Sequence, residues 1–282
     1  LVITGRNMDW KEDMASNLWV LPAGMKRNGA AGPKSLEWTS RHGSVVVSGY
    51  EAGSTDGMNE KGLVANLLYL VESEYPMADP SRPYISISTW VQYVLDNFAT
   101  VTEAVAALRA QPFNMLAPLL PNGAPAALHL AISDSSGDSA IFEYVGGKLA
   151  IHHGKQYTVM TNSPIYSQQL ALNDYWKGIG GLTFLPGTNR AADRFARASF
   201  LLGAIPTKAD RISTPAISSA SSTARRMEST VASMLTTTPL RSPRDGLWPR
   251  PMTSTTPLPF FSATMAQTFV VPMSRPTITP LS

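Results

Sequence analysis

Three residues with chemically capable side chains, Arg6, Asp9 and Trp10, stand close together in the opening stretch VITGRNMDW. A guanidinium donates hydrogen bonds to anions, a carboxylate accepts them, and an indole offers an apolar surface with one N–H. Chain ends usually tolerate change, so polar residues grouped directly behind a strand-like stretch indicate a site. The alternative is that Arg6 and Asp9 form an ordinary exposed ion pair, which would contribute little to stability.

Two more polar residues are candidates on the basis of their surroundings. Asn162 lies in TNSP, where the alternative to a functional role is that it simply forms a turn. Arg194 lies in DRFAR, where the alternative to a functional role is a solvent-exposed charge on a helix. At helical spacing, however, Arg194 borders an apolar stripe made by Ala191, Phe195, Ala198 and Leu202.

Several kinds of chemistry are missing from the sequence. There is no cysteine, which excludes disulfides, thiolate catalysis and cysteine metal sites within these residues. His152 and His153 are neighbours, so on a strand they point to opposite faces and cannot form a two-ligand metal face. No HExxH, GxSxG, GxGxxG or phosphate-loop pattern occurs. We therefore expect no metal ion and no cofactor, while a serine hydrolase of another fold stays open because serines are abundant.

The elements that must position these residues fill residues 1–211. Apolar patterning predicts strands over 44–50 and 62–70, a turn-rich segment over 54–62, and helices over 88–99 and 189–204. Thr100 and Glu103 form a capping-box pattern that opens a further helix. Four strands with Ser-Ser-Gly-Asp and Gly-Gly turns follow between residues 127 and 164. Strands, helices, strands and a helix in this order predict an α+β fold with a mostly antiparallel sheet.

The remaining segment, residues 212–282, has a different composition. Half of residues 213–282 are Ser, Thr or Pro, and their basic residues are six arginines without a lysine. Without them the chain holds 17 basic and 18 acidic residues, so its basicity gives no reason to expect nucleic-acid binding. Recurrent prolines between 239 and 280 argue against a central strand there. A disordered tail is one interpretation, but LPFF and TFVVP are too apolar for it, and we favour a reading-frame slip near Ile212.

Four stretches occur in the same order as in a known family: VITGRNMDW, STDGMNEKGL, VMTNSPIYSQQL and LPGTNRAADRFARASF. Residues 1–211 resemble the choloylglycine hydrolase family, the N-terminal-nucleophile amidases that include bile-salt hydrolases and penicillin V acylases. NLWVLPAGMKRNGAAG, SLEWTSRHGSV and LVESEYP are most similar to its Gram-negative branch. The resemblance implies an αββα sandwich of antiparallel sheets. We expect this chain to lack the first strand, and the family's closing strands fall in the region of the unusual tail.

The resemblance also assigns catalytic roles. In this family an N-terminal cysteine attacks the amide carbonyl and its own α-amine takes up a proton. By resemblance, Arg6 favours the thiolate and Asp9 orients the α-amine. Asn162 would donate a hydrogen bond to the oxyanion, and Arg194 corresponds to the family's second catalytic arginine.

Two aromatic residues are implied to bind substrate. Trp10 would form a wall of the acyl pocket, and Tyr69 takes the place at which bile-salt hydrolases carry an oxyanion-hole asparagine. Asn66 is close to that position in the sequence but does not align with it. The substrate class implied is a small-molecule amide: penicillin V or an acyl-homoserine lactone, with conjugated bile salts less favoured. The resemblance further implies a homotetramer in the periplasm. We expect no nucleic-acid partner because of the charge distribution, and no membrane partner because no apolar run approaches the roughly 18 residues that span a bilayer.

The sequence departs from the family at its start, because Leu1 is not a nucleophile. We expect a fragment that begins one strand after the cysteine, has no leader in these residues, and is inactive as written. Two alternatives stay open. One is a catalytically inactive protein that binds acyl ligands, and the other is the non-functional product of a disrupted gene.

Overall fold

Four layers make up the architecture of this protein. A computed structural model describes residues 2–8, 10 and 12–205, together with the backbone of residues 267–272. Within these residues two helices cover one face of a seven-stranded sheet, and a three-stranded sheet and two further helices cover the other. This is the α+β fold predicted from the order of elements, with the αββα arrangement that the family resemblance implies. The expectation that the family's first strand is absent from this chain stays a prediction.

The helices and strands have the following bounds. The helices are α1 (Trp90–Asn97), α2 (Val101–Arg109), α3 (Tyr166–Ile179) and α4 (Ala191–Gly203), with short 3₁₀ helices at Gly32–Lys34 and Ile87–Thr89. The strands are β1 (Val2–Asn7), β2 (Leu18–Leu21), β3 (Lys26–Asn28), β4 (Glu37–Thr39), β5 (Ser44–Gly49), β6 (Gly53–Asn59), β7 (Val64–Tyr69), β8 (Tyr84–Ser86), β9 (Asn114–Leu116), β10 (Leu128–Ser133), β11 (Ser139–Val145), β12 (Lys148–His153), β13 (Val159–Met160) and β14 (Gln267–Pro272).

The large sheet has the order β12-β11-β10-β7-β6-β5-β2, and all of its pairs are antiparallel. Its middle strands β7, β10 and β11 are buried along most of their length because layers cover both faces. The predicted strands over 44–50 and 62–70 are confirmed as β5 and β7. The predicted Ser-Ser-Gly-Asp turn is also confirmed, since the Asp134 N–H donates to the Asp138 carbonyl at 3.1 Å.

The prediction of a turn over residues 54–62 is wrong in its larger part. Gly53–Asn59 is strand β6, and only the closing residues turn, where the Gly62 N–H donates to the Asn59 carbonyl at 2.9 Å. A side chain at Gly57 would bring its Cβ within 2.7 Å of both Leu95 and Val46. Glycine here therefore permits α1 to pack closely on the sheet, although in the sequence it looks like a turn residue.

The predicted capping box before α2 is confirmed with one shift. Thr100 Oγ1 accepts the Glu103 N–H at 3.2 Å, while Glu103 Oε2 accepts from the Ala99 N–H at 2.8 Å rather than from Thr100. We expect Thr100→Ala to lower the free energy of unfolding by about 1 kcal/mol, measured by urea denaturation. Thr100→Ser keeps the hydroxyl and is the matched control. Equal urea midpoints for the two variants would contradict a role of this cap.

The three-stranded sheet corrects a prediction about the proline-rich segment. β14 is its central strand, pairing with β1 from Val2↔Pro272 to Asn7↔Gln267 and with β13 through Val159↔Phe269. Prolines were expected to prevent this, but residues 260–271 contain none, and Pro272 stands at the end of the strand. The predicted disordered or out-of-frame character of residues 212–282 otherwise lies outside the described residues.

His152 and His153 do point to opposite faces of β12. His153 is exposed and pairs with Asp138 at 2.8 Å, whereas the His152 ring packs against Tyr166 with centroids 4.9 Å apart. Burial lowers the pKa of His152, against an opposing effect of the Glu143 carboxylate.

This lowered pKa has a consequence for stability at mildly acidic pH. Above about pH 6.5 His152 is neutral in both the folded and unfolded states. As the pH falls below that value, the unfolded chain takes up the proton first, so the free energy of unfolding should decrease. We expect the stability difference between wild type and His152→Phe to change between pH 7 and pH 5, measured by urea denaturation at each pH. A constant difference across this range would contradict the assignment.

Candidate active site

The site lies where β6 separates from β7. β6 pairs with β7 only as far as Asp56↔Asn66. The Leu70 N–H donates toward β10, to the Ala127 carbonyl at 2.9 Å. Because backbone groups alternate in direction along a strand, the carbonyls of Leu67 and Tyr69 point to the side that β6 has left. Two carbonyl acceptors are therefore open to side chains from elsewhere in the fold.

Arg6 of β1 uses the first of these acceptors. Its Nη2 donates to the Leu67 carbonyl at 2.8 Å, and its Nη1 pairs with the Asp56 carboxylate. Asp56 Oδ1 also accepts from Asn66 Nδ2 at 2.8 Å. Only 10% of the Arg6 side chain is exposed, and burial lowers the pKa of Arg6 to about 9. The guanidinium is consequently still a cation at neutral pH, held in the interior between the two sheets.

Asn162 uses the second acceptor. Its Nδ2 donates to the Tyr69 carbonyl at 2.8 Å, and its Oδ1 accepts from Arg194 Nη2 at 2.8 Å. Arginine can only donate, so this contact fixes the amide with its oxygen toward Arg194 and its NH₂ group toward β7. Arg194 is itself buried and also donates from Nε to the Asn189 carbonyl at 3.0 Å. The helix α4 thus orients the Asn162 side chain.

The loop that carries Asn162 is held from both sides. Gln169 of α3 donates to the carbonyls of Asn162 and Pro164, the latter at 2.6 Å, and accepts from Thr161 Oγ1 at 2.6 Å. On the other side, Ser163 Oγ donates to Glu72 at 2.7 Å. These contacts fix the loop before any ligand binds, which is what a preorganised hydrogen-bond donor requires.

The two predicted substrate-binding residues are in contact. The rings of Trp10 and Tyr69 have centroids 5.4 Å apart and planes inclined at 56°. Trp10 Nε1 donates to the Tyr50 hydroxyl at 2.7 Å. The tilted pair forms an aromatic surface beside the carbonyl that Asn162 contacts.

The structure therefore gathers five of the six predicted site residues at the end of β7: Arg6, Trp10, Tyr69, Asn162 and Arg194. The sixth, Asp9, lies outside the described residues. Among the residues that are described, no group of three or more His, Cys, Asp or Glu could hold a metal ion. Within the same residues, no helix is long and apolar enough to cross a membrane.

Sequence reasoning missed several residues that support this site. Asp56 was assigned to a turn because glycines surround it, although it is the partner of Arg6. Tyr50 was treated as part of a strand, with no indication that its hydroxyl reaches Trp10. Glu72, which accepts from Ser163, carried no signal beyond its place after β7. These contacts join residues that are far apart in the chain, so local patterns do not reveal them.

Comparison with known proteins identifies the class to which this fold and site belong. The profile of the linear amide C–N hydrolases, choloylglycine hydrolase family, matches residues 1–217, and the chain belongs to this family. Penicillin V acylase of Pectobacterium atrosepticum is 56% identical over 206 residues, in an alignment that covers 70% of this chain and 55% of that protein. The chain thus spans about half the length of this curated relative.

Solved structures of two members of this family are similar to this one. The structure of penicillin V acylase from Agrobacterium tumefaciens has 55% sequence identity and a TM-score of 0.70, covering 80% of this chain and 68% of that one. Structures of variants of the conjugated bile acid hydrolase from Clostridium perfringens have 26% identity and a TM-score of 0.60, over 70% of this chain and 67% of theirs. The predicted family is thereby confirmed.

Proposed function

We propose that this protein, in a form that carries an N-terminal cysteine, hydrolyses linear amides whose acyl group is aromatic, with penicillin V as the first substrate to test. The observation that carries the proposal is the convergence on the end of β7. A buried cation from β1, an oriented amide from the Asn162 loop and the Trp10–Tyr69 surface all meet within three residues of that strand. The penicillin V acylases at 55% and 56% identity support the substrate class.

The chemistry requires a nucleophile, which would be a cysteine at the start of a strand preceding Leu1. Arg6 Nε is buried and has no hydrogen-bond acceptor among the described residues, so the guanidinium keeps a donor available for a thiolate. Attack on the carbonyl carbon forms a C–S bond and places negative charge on the carbonyl oxygen. The second N–H of Asn162 Nδ2 would stabilise that charge.

The proton follows a separate route. The α-amine of the cysteine takes the thiol proton and passes it to the leaving nitrogen as the C–N bond breaks, with Asp9 orienting the amine. Water then cleaves the thioester and releases the acid. Arg194 acts through Asn162 by holding its amide in the donating orientation.

An acyl-ligand-binding protein without turnover is the second candidate. The sequence has no cysteine, and Arg6 is already paired with Asp56. Such a protein would use the Trp10–Tyr69 surface in the same way but leave the amide intact.

The test compares the 282-residue chain with the same chain preceded by a strand that begins with cysteine. Penicillin V, an acyl-homoserine lactone and glycocholate are offered to both, and the freed amine or acid is measured. We expect penicillin V hydrolysis by the cysteine-bearing form only, with its Cys→Ala variant as control. No hydrolysis of any of the three substrates would refute the amidase. Binding of penicillin V without turnover by both forms would support the second candidate.

A further inference from the structure

The hydroxyl of Tyr50 joins three segments that are distant in sequence. It accepts from Trp10 Nε1 at 2.7 Å and from Asn122 Nδ2 at 3.4 Å, and it donates to Glu12 Oε1 at 2.5 Å. One donated and two accepted bonds use the full capacity of a hydroxyl group. Tyr50 thereby links the segment after β1, the turn between β5 and β6, and the loop between β9 and β10.

The backbone at Tyr50 is strained. Tyr50 and Glu51 both have φ of +54°, and the Ala52 N–H donates to the Gly49 carbonyl at 3.0 Å, which closes a β-turn with Tyr50 and Glu51 as its central residues. Turns of this kind favour Asn-Gly, because side chains are unfavourable at positive φ. Such strain persists where the surroundings determine the conformation, and it concentrates near functional sites.

The surroundings that hold this turn belong to the segment that carries Trp10. The Tyr50 N–H donates to the Met14 carbonyl at 2.6 Å, and Asn17 Nδ2 donates to Glu51 Oε1 at 2.6 Å. The Ser48 N–H also donates to the Asn17 carbonyl at 2.9 Å. The turn and residues 12–17 therefore form one unit, with the Tyr50 hydroxyl directed at the indole of Trp10.

The indole is fixed on two sides as a result. Its ring packs against the Tyr69 ring at a centroid distance of 5.4 Å, and its N–H donates to the Tyr50 hydroxyl. Without the Tyr50 hydroxyl the N–H loses its acceptor and the ring can turn about its side-chain torsions. A fixed, tilted pair of rings accepts a flat aromatic group by offset or edge-to-face packing. A flexible aliphatic chain adapts to either ring position and gains less from the fixed angle.

We propose that Tyr50 is a specificity-determining positioning residue, which holds Trp10 against Tyr69 so that the site prefers aromatic acyl groups to aliphatic ones. The preference rests on the proposed function, because it concerns the acyl group of that substrate. The positioning of Trp10 by Tyr50 can be measured without any substrate.

The binding test uses the 282-residue chain. Penicillin V and hexanoyl-homoserine lactone are titrated by calorimetry into wild type, Tyr50→Phe and the control Tyr175→Phe, whose ring is 64% exposed on α3. We expect Tyr50→Phe to raise the Kd for penicillin V about fivefold, the usual effect of one lost hydrogen bond. The Kd for hexanoyl-homoserine lactone should change less than about twofold. Tyr175→Phe should match wild type for both ligands.

The positioning test uses ¹⁹F NMR of protein labelled with 5-fluorotryptophan. The Trp10 resonance is identified by its loss in Trp10→Phe. We expect it to shift or broaden in Tyr50→Phe and to stay in place in Tyr175→Phe. A double-mutant cycle of Trp10→Phe and Tyr50→Phe should be non-additive in penicillin V affinity, since both changes remove the same hydrogen bond.

The outcomes test the specificity role and the positioning role of Tyr50 separately. If wild type binds penicillin V and Tyr50→Phe binds it equally well, or loses the same factor for both ligands, the specificity role is wrong. If wild type binds neither ligand, the preference for aromatic acyl groups is refuted together with the proposed substrate class, while the Trp10 resonance still decides whether Tyr50 positions Trp10. An unchanged Trp10 resonance in Tyr50→Phe would overturn that role.

Discussion

Replacing Asp56 by alanine is expected to lower the free energy of unfolding by about 3–5 kcal/mol, because the change leaves a buried cation without its carboxylate. The Arg6 side chain is 10% exposed, and its guanidinium stays protonated at neutral pH. The bond from Nη2 to the Leu67 carbonyl at 2.8 Å remains, but a neutral acceptor does not balance the charge. Urea denaturation at pH 7 measures the change.

Two comparisons make the Asp56 experiment specific. Asp174→Ala removes an exposed pair with Lys177, whose side chains are 71% and 66% exposed, and should cost less than about 1 kcal/mol. The double variant Arg6→Met/Asp56→Leu removes both charges and should recover most of the lost stability. The interpretation fails if Asp56→Ala is as mild as Asp174→Ala, or if the double variant is less stable than Asp56→Ala.

The second large effect concerns catalysis. In the form that carries an N-terminal cysteine, Asn162→Ala should lower kcat for penicillin V about 100- to 1000-fold, with KM nearly unchanged. The reason is that the amide would donate to charge that develops only in the transition state, not to the bound substrate. Steady-state kinetics of 6-aminopenicillanic acid release measures both constants.

The neighbouring residue supplies the control. Ser163→Ala removes the bond to Glu72 at 2.7 Å and disturbs the same loop, yet leaves the amide of Asn162 in place. Its kcat should fall less than about tenfold. A comparable loss in the two variants would mean that loop geometry, rather than the Asn162 N–H, sustains the rate. Activity of Asn162→Ala within tenfold of the parent would remove Asn162 from the mechanism.

The parts of the fold that sequence predicts well are those where a local pattern is also the structural cause. The continuous apolar run of β7 reflects burial on both faces, and the Thr100 cap forms within four residues. Asn162 and Arg194 were found by family resemblance, but their direct contact at 2.8 Å was not, because it joins a loop to a helix thirty-two positions away.

Other elements lacked a local signal. α3 escaped prediction because its buried residues, Tyr166, Gln169 and Asn173, include two amides and give no apolar stripe. The amide of Gln169 is buried since it binds backbone carbonyls of the Asn162 loop. A helix that fixes a neighbouring loop through buried amides, as α3 does, has a polar buried face. A search for apolar periodicity therefore does not find it.

The place of β14 between β1 and β13 has a consequence for the order in which the protein can assemble. Synthesis produces β1 before every other described strand, yet β14, the strand that bonds to it, emerges after all the others. Pairing across such a span adds the non-local contacts that slow folding. The strand that carries Arg6 therefore completes its pairing late, and until then its open edge is exposed to other chains. The buried cation Arg6 therefore gains its final surroundings only after residues 267–272 have been synthesised.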